Sequence, residues 1–247
     1  MPKLFCISDI HSFYDPMLDA LSNAGYEPDN PDHWLVVLGD VFDRGPGSAE
    51  VLGFLERTKN KILIKGNHEY LLMECCKRGH GFPYDYSNGT VRTIEDLGWY
   101  MTPVETFQES CDITLKRVSQ LIDSMVDYFE TKNYIFVHGW IPVERELWTR
   151  NVYHNLPDFR DATKEQWEDA SWLCGPDMAI AGLNNTGKTI VFGHWHTSYL
   201  WSIAEDRSEF SLDARFDIFY GEDYIAIDAC TAYSGKLNCL VIEDEFI

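Results

Sequence analysis

The chain has 247 residues, 45% hydrophobic, 14% aromatic and 24% charged, so it is long enough to bury a sizeable core and is ordinary in everything except charge. Forty Asp and Glu against 20 Lys and Arg leave a formal net charge of −20 and a pI near 4.6. A field of that sign repels polyanions, which excludes a general nucleic-acid or anionic-membrane binder, and no apolar stretch approaches the ~20 residues of a membrane span.

The acidic excess is uneven, since residues 201–247 alone carry −8. Seven cysteines, at 6, 75, 76, 111, 174, 230 and 239, contain no CxxC pair and read as reduced, mostly structural thiols. Met-Pro-Lys followed at once by a four-residue apolar run does not resemble a signal peptide, and a cytoplasmic, soluble protein is expected.

In chain order, short apolar runs each end abruptly in polar residues. Leu4–Ile7 ends in Ser-Asp-Ile-His, Trp34–Leu38 in Gly-Asp-Val-Phe-Asp-Arg-Gly, and Ile62–Ile64 in Lys-Gly-Asn-His-Glu. Tyr134–Val137 ends in His-Gly-Trp and Thr189–Phe192 in Gly-His-Trp-His. Helical patterns at Asp15–Ala24 and Ser48–Glu56 separate the first three runs, which predicts an α/β alternation with sites at the carboxyl ends of the strands. Residues 70–133 and 141–188 read as insertions into a single domain spanning 1–247. Within the first, Leu115–Phe129 has helical spacing and Gly79–Gly89 reads as a loop. Ile203–Arg215 reads as acidic and irregular, and the strand-like runs Tyr224–Ile227 and Asn238–Ile242 suit a second sheet.

A pair of divalent metals needs a carboxylate that bridges them, flanked by His, Asp or Asn. Asp9 and His11, two residues apart after a strand, can reach one ion; Asp40 can bridge; Asn67, His138 and His194 can complete the ligands of the second. His196 repeats the i,i+2 spacing and is expected to return to the first ion. Mixed imidazole, carboxylate and amide ligands suit Mn, Fe or Zn better than Mg or Ca. A lone His at a strand end is most often a hydrogen-bonded structural residue, and it is five such ends in one chain that favour metal.

These blocks resemble, in order, the signatures of the calcineurin-like metallophosphoesterases. GDxxDRG at 39–45 and GNHE at 66–69 look like the phosphoprotein phosphatase branch, which includes bacterial and phage serine/threonine phosphatases and symmetrical dinucleoside tetraphosphatases. The resemblance implies a central β-sandwich flanked by helices and two divalent ions, Mn before Fe or Zn. Asp9 and His11 would hold the first ion, Asp40 would bridge, Asn67, His138 and His194 would hold the second, and a metal-bridging hydroxide would attack phosphorus in line. It also implies that Arg44 clamps phosphoryl oxygens and that His68, oriented by Asp43, protonates the leaving group. Structurally, Arg44 could instead form a turn salt bridge with Asp43, and His68 could be a packed loop residue.

The chain departs from the family in three places. Serines stand at 8 and 12 where glycines are usual, Trp140 follows His138-Gly139 and would place a large ring near the second metal, and His196 is more like the wider group. For a second phosphate-binding arginine, Arg150 in Trp148-Thr149-Arg150 is the first choice and Arg160 the second. Gly182–Thr189 fits a phosphate-loop pattern but precedes a strand, so a turn is expected there. The implied activity is hydrolysis of phosphate monoesters, on a phosphoprotein or a small ester. The alternative is a dinucleoside polyphosphate hydrolase, and a metal-binding scaffold without catalysis is the third reading. The partner is then a phosphorylated protein, small ester or nucleotide, without nucleic acid or membrane.

Overall fold

The computed structural model describes residues 1–99, 104–146 and 152–246. The first third alternates as the apolar runs predict: β1 (Lys3–Ile7), α1 (Tyr14–Asn23), β2 (His33–Leu38), α2 (Ser48–Arg57) and β3 (Lys61–Ile64). The three strands are parallel, with Lys3 opposite His33 and Leu35 opposite Lys61. Their carboxyl ends therefore lie side by side, and the residues that follow them, Asp9, Asp40 and Asn67, meet along one edge of the sheet.

The first insertion is helical: α3 (Asn67–Arg78), α4 (Pro83–Asn88), α5 (Thr90–Trp99) and α6 (Phe107–Asp123), leading to β4 (Phe129–Glu130). Two expectations are corrected here. The segment Gly79–Gly89, read as a loop, contains α4, a helix too short to show periodicity. Asp85 holds it by accepting the Phe82 N–H (2.6 Å) and pairing with Arg78 (2.5 Å). The helix expected over Leu115–Phe129 begins earlier and stops at Asp123. Thr106 and Glu109 form a reciprocal capping box at its start, and the chain then turns so that Val126 pairs beside β3 and Phe129 enters a strand.

The second half contains β5 (Tyr134–Phe136), a hairpin of β6 (Val143–Arg145) and β7 (Tyr153–Asn155), α7 (Lys164–Ala170), α8 (Gly175–Ile180) and β8 (Thr189–Phe192). It continues through α9 (Thr197–Glu205), β9 (Phe219–Tyr220), β10 (Tyr224–Ala226), α10 (Thr231–Ser234) and β11 (Leu240–Glu243). One sheet has the order β11-β1-β2-β3 and the other β4-β5-β8-β10-β9. Of the two late runs, only β10 joins the second sheet; β11 crosses to pair antiparallel with β1, Lys3 opposite Glu243.

Strand alternation sorts the core into layers. Leu4, Cys6, Val36 and Leu38 face Phe136, Val191, Ile225 and Ile227 across the two sheets, while Phe5, Ile7, Leu35 and Val37 face the first-insertion helices and α1 and α2. On the outer face of the second sheet, Ile135, Ile190 and Phe192 pack with Trp140, Phe159 and Trp167. The architecture is a β-sandwich flanked by helices. No helix among the described residues is long and apolar enough to cross a membrane.

Candidate metal centre

The backbone at the strand ends is unusual. Asp9, His11, Ser12, Asp40, Asp43, Arg44 and His194 all have φ between 48° and 74°, the left-handed region that non-glycine residues rarely adopt. Ser12 holds that conformation while its hydroxyl pairs with Ser48 (2.9 Å). These turns aim side chains across the strand ends instead of along the sheet.

Asp40 is the hub. Its carboxylate lies 3.7 Å from His11 Nε2 and 3.9 Å from His68 Nε2 on one oxygen, and 3.3 Å from His138 Nε2 on the other. Two groups of ligand atoms close enough to share an ion result: His11, Asp40 and His68, and Asp40, His138 and His194. His138 Nε2 also lies 2.9 Å from Asn67 Oδ1, so Asn67 sits at the second group. His11 Nδ1 donates to the Phe42 carbonyl (3.0 Å) and His138 Nδ1 to the Leu38 carbonyl (2.6 Å). A carbonyl only accepts, so Nδ1 of each ring carries a proton and Nε2 is the nitrogen turned to the site.

Asp9 is buried nearby, its Oδ2 accepting from Ser8 Oγ (2.6 Å) and from the His194 N–H (2.9 Å). That contact ties the end of β1 to the end of β8. Asp228, which follows β10, is equally buried; burial raises its carboxyl well above the usual range, and the neighbouring Asp9 charge adds to this. Burial lowers the His11 and His194 imidazoles to about 3, and raises Asp9. Burial opposes ionisation of Asp40, but the surrounding imidazoles, His138 first, hold it well below the ordinary range. Among the described residues no Lys or Arg forms an ion pair with Asp9, Asp40 or Asp228. Buried carboxylates gathered with several imidazoles, and with no Lys or Arg paired to them, are a donor set that divalent first-row metals take.

His68, in the first turn of α3, is held through Nδ1 by Asp43 Oδ2 at 2.7 Å. Asp43 in turn accepts from Thr90 (2.6 Å) and Thr93 (3.0 Å) of α5. Burial alone would lower the His68 pKa, but the charge of Asp40 and the bond to Asp43 outweigh it and lift it to about 9. Arg44 is exposed and forms no ion pair or side-chain hydrogen bond among the described residues, so it is not a salt bridge to Asp43. Its charge acts on His11, His68 and His194.

Other expected site residues lie elsewhere. His196 is in neither ligand group: its Nδ1 faces Glu209 at 2.5 Å and Ser198 at 3.1 Å, because the chain turns at His194 and enters α9 at Thr197. Arg160 is committed to Glu130 and Asp158. Arg150 lies outside the described residues. Trp140 belongs to neither ligand group: it is 1% exposed, packs against Phe192 and donates its indole N–H to the Leu183 carbonyl. Trp172 and Trp195 instead stand beside His194, with ring centroids at 6.5 and 6.2 Å.

Sequence reading assigned no role to Glu69. It is fully buried and accepts from the backbone N–H groups of Asp40 (3.0 Å), Val41 (2.9 Å) and Gly66 (2.8 Å), clamping two strand ends together. Glu69→Ala leaves three buried donors unpaired and is expected to destabilise the fold by about 3 kcal/mol. Denaturant unfolding measures this, and a loss below about 1 kcal/mol would show that the clamp is dispensable.

Residues 2–198 match the family model of calcineurin-like phosphoesterases. The chain is 34% identical over 277 positions, covering 98% of itself and 92% of the relative, to a symmetrical bis(5'-nucleosyl)-tetraphosphatase of Klebsiella pneumoniae. Solved structures share the fold: a putative diadenosine tetraphosphatase (TM-score 0.52, 18% identity, 98% of this chain and 91% of that one) is one. Another is the cold-active protein-tyrosine phosphatase of a Shewanella species (TM-score 0.56, 16% identity, 98% and 76%). The chain belongs to the calcineurin-like phosphoesterase family. It is a hydrolase of phosphoric esters, and the family uses divalent metals.

Proposed function

We propose that the chain is a two-metal hydrolase of dinucleoside polyphosphates. The observation that carries the chemistry is Asp40, one carboxylate common to two groups of buried ligands. Asp9, His11 and Asp40 would hold one ion, and Asp40, Asn67, His138 and His194 the other, with Mn the first candidate. When bound, the ions supply charge neutralisation and an activated water. Arg44 offers its unpaired guanidinium to the phosphoryl oxygens. Water oxygen bonds to phosphorus, the bridging P–O bond breaks, and His68 gives its Nε2 proton to the departing oxygen while Asp43 holds Nδ1. His68 is given the acid role because Asp43 holds its Nδ1 at 2.7 Å and leaves Nε2 facing the centre.

Two features support the dinucleotide over the monoester that the motifs alone favour. The tetraphosphatase relative matches nearly end to end. Trp172 and Trp195 flank His194 and remain 50% and 37% exposed, placed where bases can stack.

The test is phosphate and ADP release from diadenosine tetraphosphate, a phosphopeptide and an aryl phosphate, after chelation and after adding back Mn, Fe, Zn or Mg. Chelation is expected to stop turnover and Mn to restore it, with diadenosine tetraphosphate the preferred substrate and ADP its product. Turnover confined to the monoesters would return the substrate to the phosphatase class. None with any metal would leave a scaffold.

A further inference from the structure

The acidic stretch after α9 forms a structured wall. Arg215 pairs with Glu205 (2.9 Å) and Asp217 (2.5 Å), and Arg207 with Glu205 (2.9 Å) and Asp213 (2.8 Å), so opposite charges inside the segment hold most of its carboxylates. Glu209 is anchored on His196. Folded this way, the stretch borders an open cavity of about 600 Å³, the size of a small-molecule site. Phe210, Phe216 and Tyr233 form its aromatic side, and Arg215, Lys236 and Asn238 contribute polar edges.

Two contacts run from the cavity walls toward the metal centre. The Phe210 ring lies 5.3 Å from His196, two residues after His194. On the opposite side, α10 carries Tyr233 and is tied to the centre by Thr231, whose hydroxyl donates to the Asp9 carbonyl (3.0 Å). Tyr233 packs on Phe210 at 5.1 Å and on Phe216 at 5.6 Å, yet stays 62% exposed, which leaves ring surface open. Lys236 has no ion pair among the described residues, unlike Arg207 and Arg215, so its ammonium is available to an anion.

We infer that this cavity is a nucleoside subsite, taking the base of a nucleoside polyphosphate against Tyr233 and Phe210, with Lys236 beside the sugar-phosphate end. An aromatic face next to a free cation, on walls tied to a phosphohydrolase centre, is the complement of a base joined to phosphate. This rests on the dinucleoside polyphosphate reading and adds where one nucleoside lies.

The experiment has two arms, both on the full chain. In the first, Tyr233→Ala is expected to lower the ratio of kcat/KM for diadenosine tetraphosphate to that for an aryl phosphate about tenfold, with Tyr233→Phe restoring it. An equal fall on both substrates, or no fall, would overturn the subsite. The second arm measures binding of ADP by calorimetry, with inorganic phosphate as control. Tyr233→Ala is expected to weaken ADP about tenfold while phosphate is unchanged; equal ADP affinity in both proteins would overturn the proposal. Failure of the wild-type chain to cleave diadenosine tetraphosphate would remove the substrate reading, and the ADP arm would still decide the cavity.

Discussion

Asp40→Asn is expected to lower kcat/KM by about a thousandfold or more, since the several kcal/mol of charge stabilisation supplied by bound ions depends on the one carboxylate that both ligand groups share. The amide is nearly isosteric and can still accept the His68 N–H, which Asp40 Oδ1 takes at 3.0 Å, so the fold is expected to hold. What is lost is the negative charge among His11, His68 and His138. The check pairs kinetics with metal content per chain by elemental analysis. Full metal content with undiminished turnover would remove Asp40 from the bridging position.

His68→Ala is expected to behave differently. The metal ligands stay, so metal content is retained, while the proton for the departing oxygen is lost, at a cost of about 10²–10⁴ in turnover. The loss should depend on the leaving group: most severe for an alkyl phosphate, smallest for a nitrophenyl phosphate whose leaving oxygen needs no proton. An equal loss on both would assign His68 to the ligand group formed with His11 and Asp40, in which case metal content would fall as well. Thr90 and Thr93 act on this residue only through Asp43, and their replacement is expected to give a weaker form of the same pattern.

The parts of the molecule legible in the sequence are those in which residue type and local position coincide. β1, β2 and β3 announce themselves as buried apolar runs, and Asp9, Asp40 and Asn67 are visible as polar residues at their ends. Parallel pairing then brings them together. The Asp40 hub followed from the same logic. Less visible are contacts made by residues with no pattern of their own. Thr90 and Thr93 are ordinary hydroxyls in a helix, and only the packing of α5 under the Asp43 turn gives them a partner. Asp228 is a single acid after a short strand, and its burial beside Asp9 depends on β10 lying next to β8. His196 misled because i,i+2 spacing puts two side chains on one side only while the chain stays extended, and here it turns at His194. The same limit applies to α4, held by Asp85, and to Trp140, whose ring packs on Phe192 and donates to the Leu183 carbonyl.

The left-handed residues at the strand ends bear on whether the site is used at all. Each costs about 1–2 kcal/mol relative to glycine, which adopts that conformation freely. Substituting glycine at Asp43 or Arg44 would therefore relax the backbone even as it removed a side chain from the centre. Stability and chemistry pull in opposite directions at these positions, and a chain serving only as a scaffold would gain by drifting toward glycine there. Aspartate, arginine and histidine in such turns carry a thermodynamic burden in the peptide backbone, set against what their side chains contribute to the centre.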